Sequence, residues 1–397
     1  MKKLVITLAM LLVALPATLP ACTKTPRPDR ITVEWSTPVP VTAGGYGRVH
    51  RLVDGRLMMV YSASGNAYAR FSSDEAVSWS EQVLVMEGFK ASNEKGSVDV
   101  RCSNAEFTQL SDNNPYHPGR IIYVSNLRPV DYRTSIHPLS IVCSVSDDGG
   151  ETWSQQMTVY GSKIWEKDAM KGAWEPFAME LPDGRVQVYF TDNTPYYAVG
   201  DTRSNNISVV ESFDGGDTWG TERIVCHSDG GWDGMPVVTL VGGRLYLVVE
   251  HKDTRGNQYA MEIQAMSSSL EDNWSSEIDR DSSARFYPFK PIEGVYCGAP
   301  YIIHTDHYFV VSCQSAEGSA NPLKDNNCLP AVFVSPVSSV KSDRFSSAKQ
   351  APEPIEIDQS LYTCYWNSLC DLGDDNILLV TQYRAKILTI KGKIRKK

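Results

Sequence analysis

The segments SDDGGETW at Ser146–Trp153 and SFDGGDTW at Ser212–Trp219 share one pattern, S-x-D-x-G-x-T-W. In such a turn the Ser and Asp side chains bond to the backbone, a Gly takes a positive φ, and the Trp packs between neighbouring sheets. Weaker copies are SSDEAVSW at Ser72–Trp79 and SSSLEDNW at Ser267–Trp274. Two close copies and two weaker ones along one chain indicate repeated structural units.

A second repeat predicts the number of units. Six times, an apolar run meets a tight polar turn and a second apolar run follows, as in PFAMELPDGRVQVYF and PVVTLVGGRLYLVVE. Asp-Gly and Gly-Gly between runs of β-forming residues are the strongest short-range hairpin signal. The turns centre near residues 54, 113, 183, 242, 306 and 374. Each unit has room for four strands, so the sequence predicts an all-β, six-bladed β-propeller.

The propeller is predicted to occupy residues 31–397 as one domain. Its blades fall at 44–88, 98–162, 172–228, 232–278, 294–350 and 364–397. The last blade is short of outer strands, whereas the stretch 31–41 alternates apolar and polar residues. We expect that stretch to complete the last blade and to close the ring, which removes an exposed sheet edge.

The residues before the propeller have the pattern of a leader. A basic start precedes the apolar run 4–15, which is too short to span a membrane. The small residue before Cys22 resembles a bacterial lipobox, in which the Cys becomes the lipidated first residue of the mature chain. We predict a signal peptide over 1–21, a tether over 22–30 and a lipid anchor at Cys22 on the periplasmic side of the bacterial envelope. An ordinary secretory signal with an incidental cysteine is the alternative.

Composition argues against several classes of protein. The chain has 397 residues, of which 42% are hydrophobic and 21% charged, a globular composition that excludes disorder and coiled coil. The net charge is −9 and no long Lys/Arg run precedes the last few residues, which argues against a nucleic-acid partner. No Cys or His spacing suits zinc, so we predict neither a metal nor a cofactor.

Eight cysteines follow Cys22, and most are expected to be buried thiols. Export would permit disulfides. Cys297 and Cys313 fall nearly opposite each other on the hairpin that turns near residue 306, and they form the one candidate pair. A mismatch of one residue would turn their side chains to opposite faces.

The hairpins sort residues between the two faces of the propeller. All six hairpin turns and the S-x-D turns lie on one face, so the starts of the inner strands and the ends of the second strands lie on the other. These ends converge at the axis, where we expect the functional site. The candidate residues there are Arg48, Asn104, Glu106, Arg128, Trp174, Glu175, Asp192, Asp233, Glu250, Tyr296, Trp366 and Asn367.

Glu175 and Glu250 are the candidate catalytic pair. Glu175 lies between Trp174 and Pro176 ahead of an apolar strand, where partial desolvation raises the pKa of a carboxyl group and suits a general acid. Glu250 ends the apolar run LYLVVEH, where an unpaired carboxylate is costly. Glycoside hydrolysis needs two such groups, one as acid and one as nucleophile or base. The alternative for each is a purely structural salt bridge.

The other candidates are predicted to hold an oligosaccharide or polysaccharide, since carboxylates, arginines and aromatic rings suit sugars. Arg48 would either orient Glu250 or bind a substrate carboxylate. Tyr296 would stack on a sugar or polarise the reacting bond, and a plain packed tyrosine is the alternative. Glu106 and Asp233 are further carboxylates that would aim at the same concavity.

Two families resemble the chain. The S-x-D-x-G-x-T-W turns look like the Asp-boxes of the sialidase superfamily, over nearly the whole mature chain. Trp174-Glu175-Pro176-Phe177 and GMPVVTLVGGRLYLVVEH, which ends beside Glu250, look more like the exo-α-1,5-L-arabinanase family of glycoside hydrolases. That resemblance implies a retaining mechanism with Glu175 and Glu250, and release of short arabinose oligosaccharides from a chain end.

Three functions stay open at this point. The first is an exported retaining exo-glycosidase on a neutral, arabinan-like glycan, with Glu175 as acid/base and Glu250 as nucleophile. The second is an exo-sialidase with a Tyr nucleophile, Glu250 as its base and an acid such as Asp99. Sialidases begin their first blade with Arg-Ile-Pro, whereas Arg48-Val49-His50 keeps only the Arg, and no carboxylate-binding Arg triad is evident. The third is a glycan-binding propeller without catalysis.

Overall fold

The computed structural model describes residues 31–253, 261–325, 327–345, 349–350, 353–355 and 363–396. Cys22 and the predicted leader and tether lie outside these ranges. The described residues form six small β-sheets arranged as a six-bladed propeller, which confirms the predicted fold class. Within the described residues, no helix has the length and apolar character needed to cross a membrane.

The strands alternate in direction within each sheet and are joined by short turns. In chain order they are β1 (Ile31–Trp35), β2 (Val39–Ala43), β3 (Gly45–Arg51), β4 (Leu57–Ala63), β5 (Asn66–Ser72), β6 (Val83–Met86), β7 (Phe89–Asn93), β8 (Gly96–Gln109), β9 (Ile121–Pro129), β10 (Ser140–Ser146), β11 (Met157–Gly161), β12 (Ala173–Glu180), β13 (Val186–Asp192), β14 (Asn206–Ser212), β15 (Arg223–His227), β16 (Trp232–Val241), β17 (Arg244–Lys252), β18 (Glu262–Ser269), β19 (Ile278–Asp279), β20 (Cys297–His304), β21 (Tyr308–Ser315), β22 (Leu329–Pro336), β23 (Lys349–Gln350), β24 (Cys364–Gly373), β25 (Asn376–Tyr383) and β26 (Lys386–Lys396). Single-turn 3-10 helices lie at Tyr132–Thr134, Tyr197–Val199 and Val337–Ser339.

Each blade is one antiparallel sheet whose first strand lies at the axis. Blade one is β3-β4-β5-β6, and blade two is β8-β9-β10-β11 with β7 added at the axial edge of β8. Blade three is β12-β13-β14-β15 with β19 parallel to β15, and blade four is β16-β17-β18. Blade five is β20-β21-β22-β23, and blade six is β24-β25-β26. The six predicted hairpins are therefore the first two strands of the six blades.

The N-terminal strands close the ring. Both β1 and β2 pair antiparallel with β26, and the β1 register runs from Ile31 opposite Lys396 to Trp35 opposite Gly392. A side chain at Gly392 would lie within 2.5 Å of the Trp35 ring, so this closure needs glycine at that position. The prediction that 31–41 completes the last blade is confirmed.

The S-x-D-x-G-x-T-W segments form tight turns between the third and fourth strands. In one of them, Asp148 accepts hydrogen bonds from the backbone N–H groups of Glu151 and Thr152 at 3.0 and 2.9 Å. Ser146 donates its hydroxyl to Asp148 at 2.7 Å and accepts the Gly150 N–H at 2.8 Å. These carboxylates are therefore used to hold turns.

The eight cysteines between Cys102 and Cys370 are buried free thiols. Cys297 lies opposite Ser315 in the β20–β21 register, so Cys313 is two residues further along the partner strand. The candidate Cys297–Cys313 disulfide is not formed, although the two thiols lie within hydrogen-bonding reach of each other.

Candidate active site

One backbone device recurs at the start of every inner strand. In each of the six blades the pairing of the first two strands breaks its register there, as a β-bulge does. Each break contains one non-glycine residue with φ between 48° and 56°. These bulge residues are Tyr46, Asn104, Glu175, Met235, Ala299 and Trp366. Left-handed conformations of non-glycine residues cost about 1–3 kcal/mol each and cluster at functional sites, so the bulges mark the face that carries the site.

Glu175 is the bulge residue of blade three and is partly buried. The Thr191 hydroxyl donates to its Oε2 at 3.1 Å and itself accepts the Met235 N–H at 2.9 Å. Burial raises the pKa of Glu175 to about 8, and the charge of Glu250 adds to the rise, whereas the Thr191 bond and Arg48 oppose it. The structure thus holds Glu175 in the protonated state at neutral pH.

Glu250 lies on β17 in blade four and is buried. The Trp232 indole N–H donates to its Oε1 at 3.2 Å, and the Ala299 backbone N–H donates to its Oε2 at 2.9 Å. Burial raises the pKa of Glu250, and these two hydrogen bonds oppose that rise. Neither donor can accept a hydrogen bond, so the two bonds favour the ionised carboxylate.

Tyr296 meets the Glu250 carboxylate over Gly298. A Cβ atom at Gly298 would lie 2.2 Å from the Tyr296 hydroxyl and 3.0 Å from Glu250 Oε2. The Tyr296 hydroxyl accepts a hydrogen bond from Gln314 at 3.1 Å. Burial and the Glu250 charge raise the pKa of Tyr296. Only a glycine at position 298 leaves space for both groups.

Arg48 and Glu106 form a buried network beside the carboxylate pair. The Arg48 Nε lies 3.5 Å from Glu106 Oε2, and the guanidinium packs 3.8 Å from the centre of the Tyr46 ring. Glu106 also accepts the Tyr301 hydroxyl at 3.1 Å and is 1% exposed. The charge of Arg48 lowers the pKa of Glu175. Glu106 is enclosed, and its carboxylate is paired with Arg48.

Asp233, Asp192 and Asn367 are fully buried within the blades. Asp233 is held by Arg285 at 2.7 Å and by His251 at 2.8 Å. Burial would raise the pKa of Asp233, but the His251 bond and the Arg285 charge outweigh it and lower that pKa. Asp192 accepts the Thr194 N–H and hydroxyl. The structure does not bring these three residues to the face that carries the carboxylate pair.

The remaining candidates lie around the pair. Asn104 and Trp366 are bulge residues, and the Trp366 ring packs 5.8 Å from the Tyr46 ring. The Arg128 guanidinium carbon lies 5.6 Å from the centre of the Trp174 ring, next to Glu175 in the chain. Aromatic faces beside two carboxyl groups suit a sugar ring.

Sequence reasoning missed Thr191 and Trp232, which bind the two carboxyl groups. Each is adjacent in the chain to a residue that was selected, Thr191 before Asp192 and Trp232 before Asp233. Because successive strand residues point to opposite faces, a shift of one residue exchanges a buried side chain for one that faces the site.

The arrangement supplies two carboxyl groups with different hydrogen-bond partners, and burial raises the pKa of both. Among the described residues, no group of three or more His, Cys, Asp or Glu side chains is arranged to hold a metal ion. Such a pair transfers a proton and stabilises or attacks a positive centre at the same substrate.

Solved structures share this fold. The GH93 α-L-arabinofuranosidase of Fusarium graminearum, solved with arabinobiose, aligns over 91% of this chain and 98% of its own, with TM-score 0.64 and 16% identity. A protein of unknown function from Dyadobacter fermentans aligns over 92% and 100%, with TM-score 0.62 and 12% identity. The intramolecular trans-sialidase of Ruminococcus gnavus aligns over 89% and 95%, with TM-score 0.56 and 11% identity.

No protein-family model matches the sequence, and a search of curated proteins finds no significant match. At 11–16% identity the structural likeness establishes the fold. The chain is a sialidase-like six-bladed propeller. Within that class its architecture resembles the GH93 arabinofuranosidase.

Proposed function

We propose that this protein is a retaining exo-glycosidase that acts on the end of an arabinan-like glycan. The observation that carries the proposal is the contrast between Glu175 and Glu250. Burial raises the pKa of both groups, that of Glu175 to about 8 against the Thr191 hydroxyl and the Met235 N–H, whereas Glu250 is held by two donors that cannot accept and that oppose the rise. Acid/base and nucleophile roles need this separation of character.

The direction of the Thr191 hydrogen bond orients the acid. We infer that the Thr191 hydroxyl, which accepts the Met235 N–H, donates its single proton to Oε2 of Glu175. A protonated Glu175 therefore carries its own proton on Oε1. That oxygen is the one available to a leaving group, and the acid is oriented before the substrate binds.

The proposed reaction has two steps. In the first, a Glu250 oxygen attacks the anomeric carbon, the glycosidic C–O bond breaks, and Glu175 gives its proton to the departing oxygen. In the second, Glu175 takes a proton from water, the water oxygen attacks the anomeric carbon, and the Glu250 ester bond breaks. Two displacements retain the anomeric configuration.

An exo-sialidase is the second candidate, and the convergence of Tyr296 on Glu250 favours it. In that mechanism the Tyr296 oxygen would attack and Glu250 would take its proton. Asp99, the acid of that hypothesis, lies on β8 in register with Lys90 of β7. One of the solved structures with this fold is named as an intramolecular trans-sialidase, which supports sialosides as the alternative substrate class.

Activity on a matched panel of aryl α-L-arabinofuranosides, arabino-oligosaccharides and sialosides tests the proposal. We expect arabinose-containing substrates to be cleaved, and NMR of the first product formed to show a retained anomer. Glu175→Gln should slow poor leaving groups by about 10²–10⁴-fold and activated aryl groups much less. Glu250→Gln should slow both. Cleavage of sialosides alone, or full activity in either variant, would refute the proposal.

We also propose that the chain is exported and anchored through a lipid on Cys22, facing the periplasm. The support is the leader pattern described above. An envelope location suits an enzyme whose substrate is an external glycan.

A further inference from the structure

Among the described residues, blade two alone has a further strand, β7, paired with its inner strand on the axial edge. Its inner strand β8 has 14 residues and begins at Gly96, eight residues before the bulge at Asn104. The part before the bulge pairs with β7 on one side, Phe89 opposite Val100, and with the end of β9 on the other, Val100 opposite Pro129. Since the bulges mark the level of the site, this three-stranded extension stands beyond that level, beside the carboxylate pair.

Two arginines face each other on the extension. Arg101 of β8 and Arg128 of β9 are directly opposite in the register, and both are exposed. Opposite residues on neighbouring antiparallel strands have Cβ atoms about 4.5–5.5 Å apart on the same face, and like charges so placed are destabilising. A bound anion would relieve the repulsion between these two arginines, which lie beside the candidate site.

Neither arginine has a carboxylate partner within the part of the chain that the structure describes. Other arginines there do have one, such as Arg51 with Glu75 at 2.7 Å and Arg285 with Asp233 at 2.7 Å. The absence is notable in a chain whose net charge is −9. Acidic side chains are in excess, yet none of those described pairs with Arg101 or Arg128.

Aromatic rings lie beside the arginine pair. The Arg128 guanidinium carbon is 5.6 Å from the centre of the Trp174 ring and 5.9 Å from that of Tyr132. The Trp174 ring meets Tyr132 edge-on at 6.3 Å. Trp174 directly precedes Glu175 in the chain. A sugar that stacks on Trp174 would thus place its substituents within reach of a positive charge, close to the proposed acid.

We propose that Arg101 and Arg128 form an anion subsite that binds the carboxylate of a uronic acid unit in the substrate glycan. A guanidinium binds a carboxylate through two parallel N–H···O bonds, and two adjacent guanidiniums select a charged sugar over a neutral one. The inference rests on the proposed function, because it assumes that this face binds a glycan. It deepens that function by naming an acidic unit in the chain.

The test is binding, measured by calorimetry on the whole protein. The probes are a galacturonic acid tetramer and the same tetramer with its carboxyl groups reduced to alcohols. We expect the acidic tetramer to bind more tightly, with an affinity that falls as NaCl rises. Arg101→Ala and Arg128→Ala should each weaken its binding about 10-fold or more and weaken that of the reduced tetramer much less. Arg395→Ala, an exposed arginine paired with Glu34, is the matched control.

Thermal unfolding of each variant shows whether it is folded. If Arg128→Ala does not fold, Arg128→Lys takes its place, since it keeps the charge and loses the paired N–H donors of the guanidinium. Equal binding of the two tetramers, or unchanged binding of the acidic one in both Arg101 and Arg128 variants, overturns the subsite. Tighter binding of a sulfated tetramer than of the uronate would overturn the carboxylate assignment. Hydrolysis of neutral arabino-oligosaccharides without any uronate preference would refute only the subsite. Uronate binding without hydrolysis of any glycoside would refute only the proposed enzyme.

Discussion

Replacing Glu175 by Gln should make the protein more stable, and the gain should grow with pH. The pKa of this carboxyl is about 8 in the folded protein, against 4.5 for a glutamate side chain in water. A group whose pKa is raised on folding gives stability that is fully present below its unfolded pKa and is lost as the pH rises through its folded pKa. Glutamine stays neutral and carries no such loss.

The size of the effect follows from the pKa values. Each unit of difference is worth about 1.4 kcal/mol. Ionisation of this carboxyl in the unfolded chain lowers the free energy of unfolding of the native protein by at most about 3 kcal/mol at pH 7 and at most about 1 kcal/mol at pH 5. Because Glu175 is only partly buried, these are upper bounds. Glu175→Gln should therefore gain up to about 2 kcal/mol more at pH 7 than at pH 5.

Urea unfolding of the native protein and the variant at pH 5 and pH 7 measures this difference without any substrate. Glu81→Gln, an exposed carboxyl in blade one, is the control and should show no pH-dependent gain. Equal free energies of unfolding for Glu175→Gln and the native protein at both pH values would show that Glu175 is not held protonated. The acid role proposed for it would then lose its physical basis.

Three further predictions use single substitutions. Thr191→Val removes the hydroxyl that lowers the pKa of Glu175. The alkaline limb of the kcat/KM profile should therefore move up by up to about one pH unit, and Thr191→Ser should leave the limb where it is. A downward shift in Thr191→Val would contradict the hydrogen-bond direction. Gly298→Ala puts a methyl 2.2 Å from the Tyr296 hydroxyl and should lower kcat about 10²-fold. The control Gly161→Ala, where the nearest atom to the new methyl is 4.0 Å away, should leave kcat unchanged. Equal activity of the two variants would refute the crowding at Gly298. Cys22→Ser should release the protein from the membrane fraction of fractionated cells, and retention there would end the lipoprotein hypothesis.

The fold could be predicted from the sequence because its signals are local. Each tight polar turn between two apolar runs specifies one hairpin, three of them as Asp-Gly or Gly-Gly, and six such turns at similar spacing specify six blades. The closure by 31–41 followed from counting strands in the last blade. Glu175 and Glu250 could be selected as candidates for a similar reason, since a carboxylate at either end of an apolar strand is visible without the structure.

The neighbours of the pair could not be predicted as reliably, because the bulges shift the register. A bulge adds one residue to the inner strand, and nothing in the sequence marks where it lies. Asp233 and Asp192 were therefore assigned to the site, although they lie inside the blades. The residues that do contact the carboxylates, Trp232 and Thr191, are one position away in the chain. Alternation along a strand turns an error of one residue into the wrong face.

The bulges explain how a repeated fold produces one asymmetric site. A bulge leaves a backbone N–H without its partner in the strand ladder. In blade four that group is Met235 N–H, which binds Thr191 and so directs the Thr191 hydroxyl to Glu175. In blade five it is Ala299 N–H, which binds Glu250 directly. The bulge of blade four thus supplies an N–H donor that reaches Glu175 through the Thr191 hydroxyl, and the bulge of blade five supplies an N–H donor that binds Glu250 directly. The side chain at each bulge varies around the ring, and a carboxylate occupies it in blade three alone among the six. The same bulge recurs in all six blades, and in two of them its N–H group serves the glutamate pair.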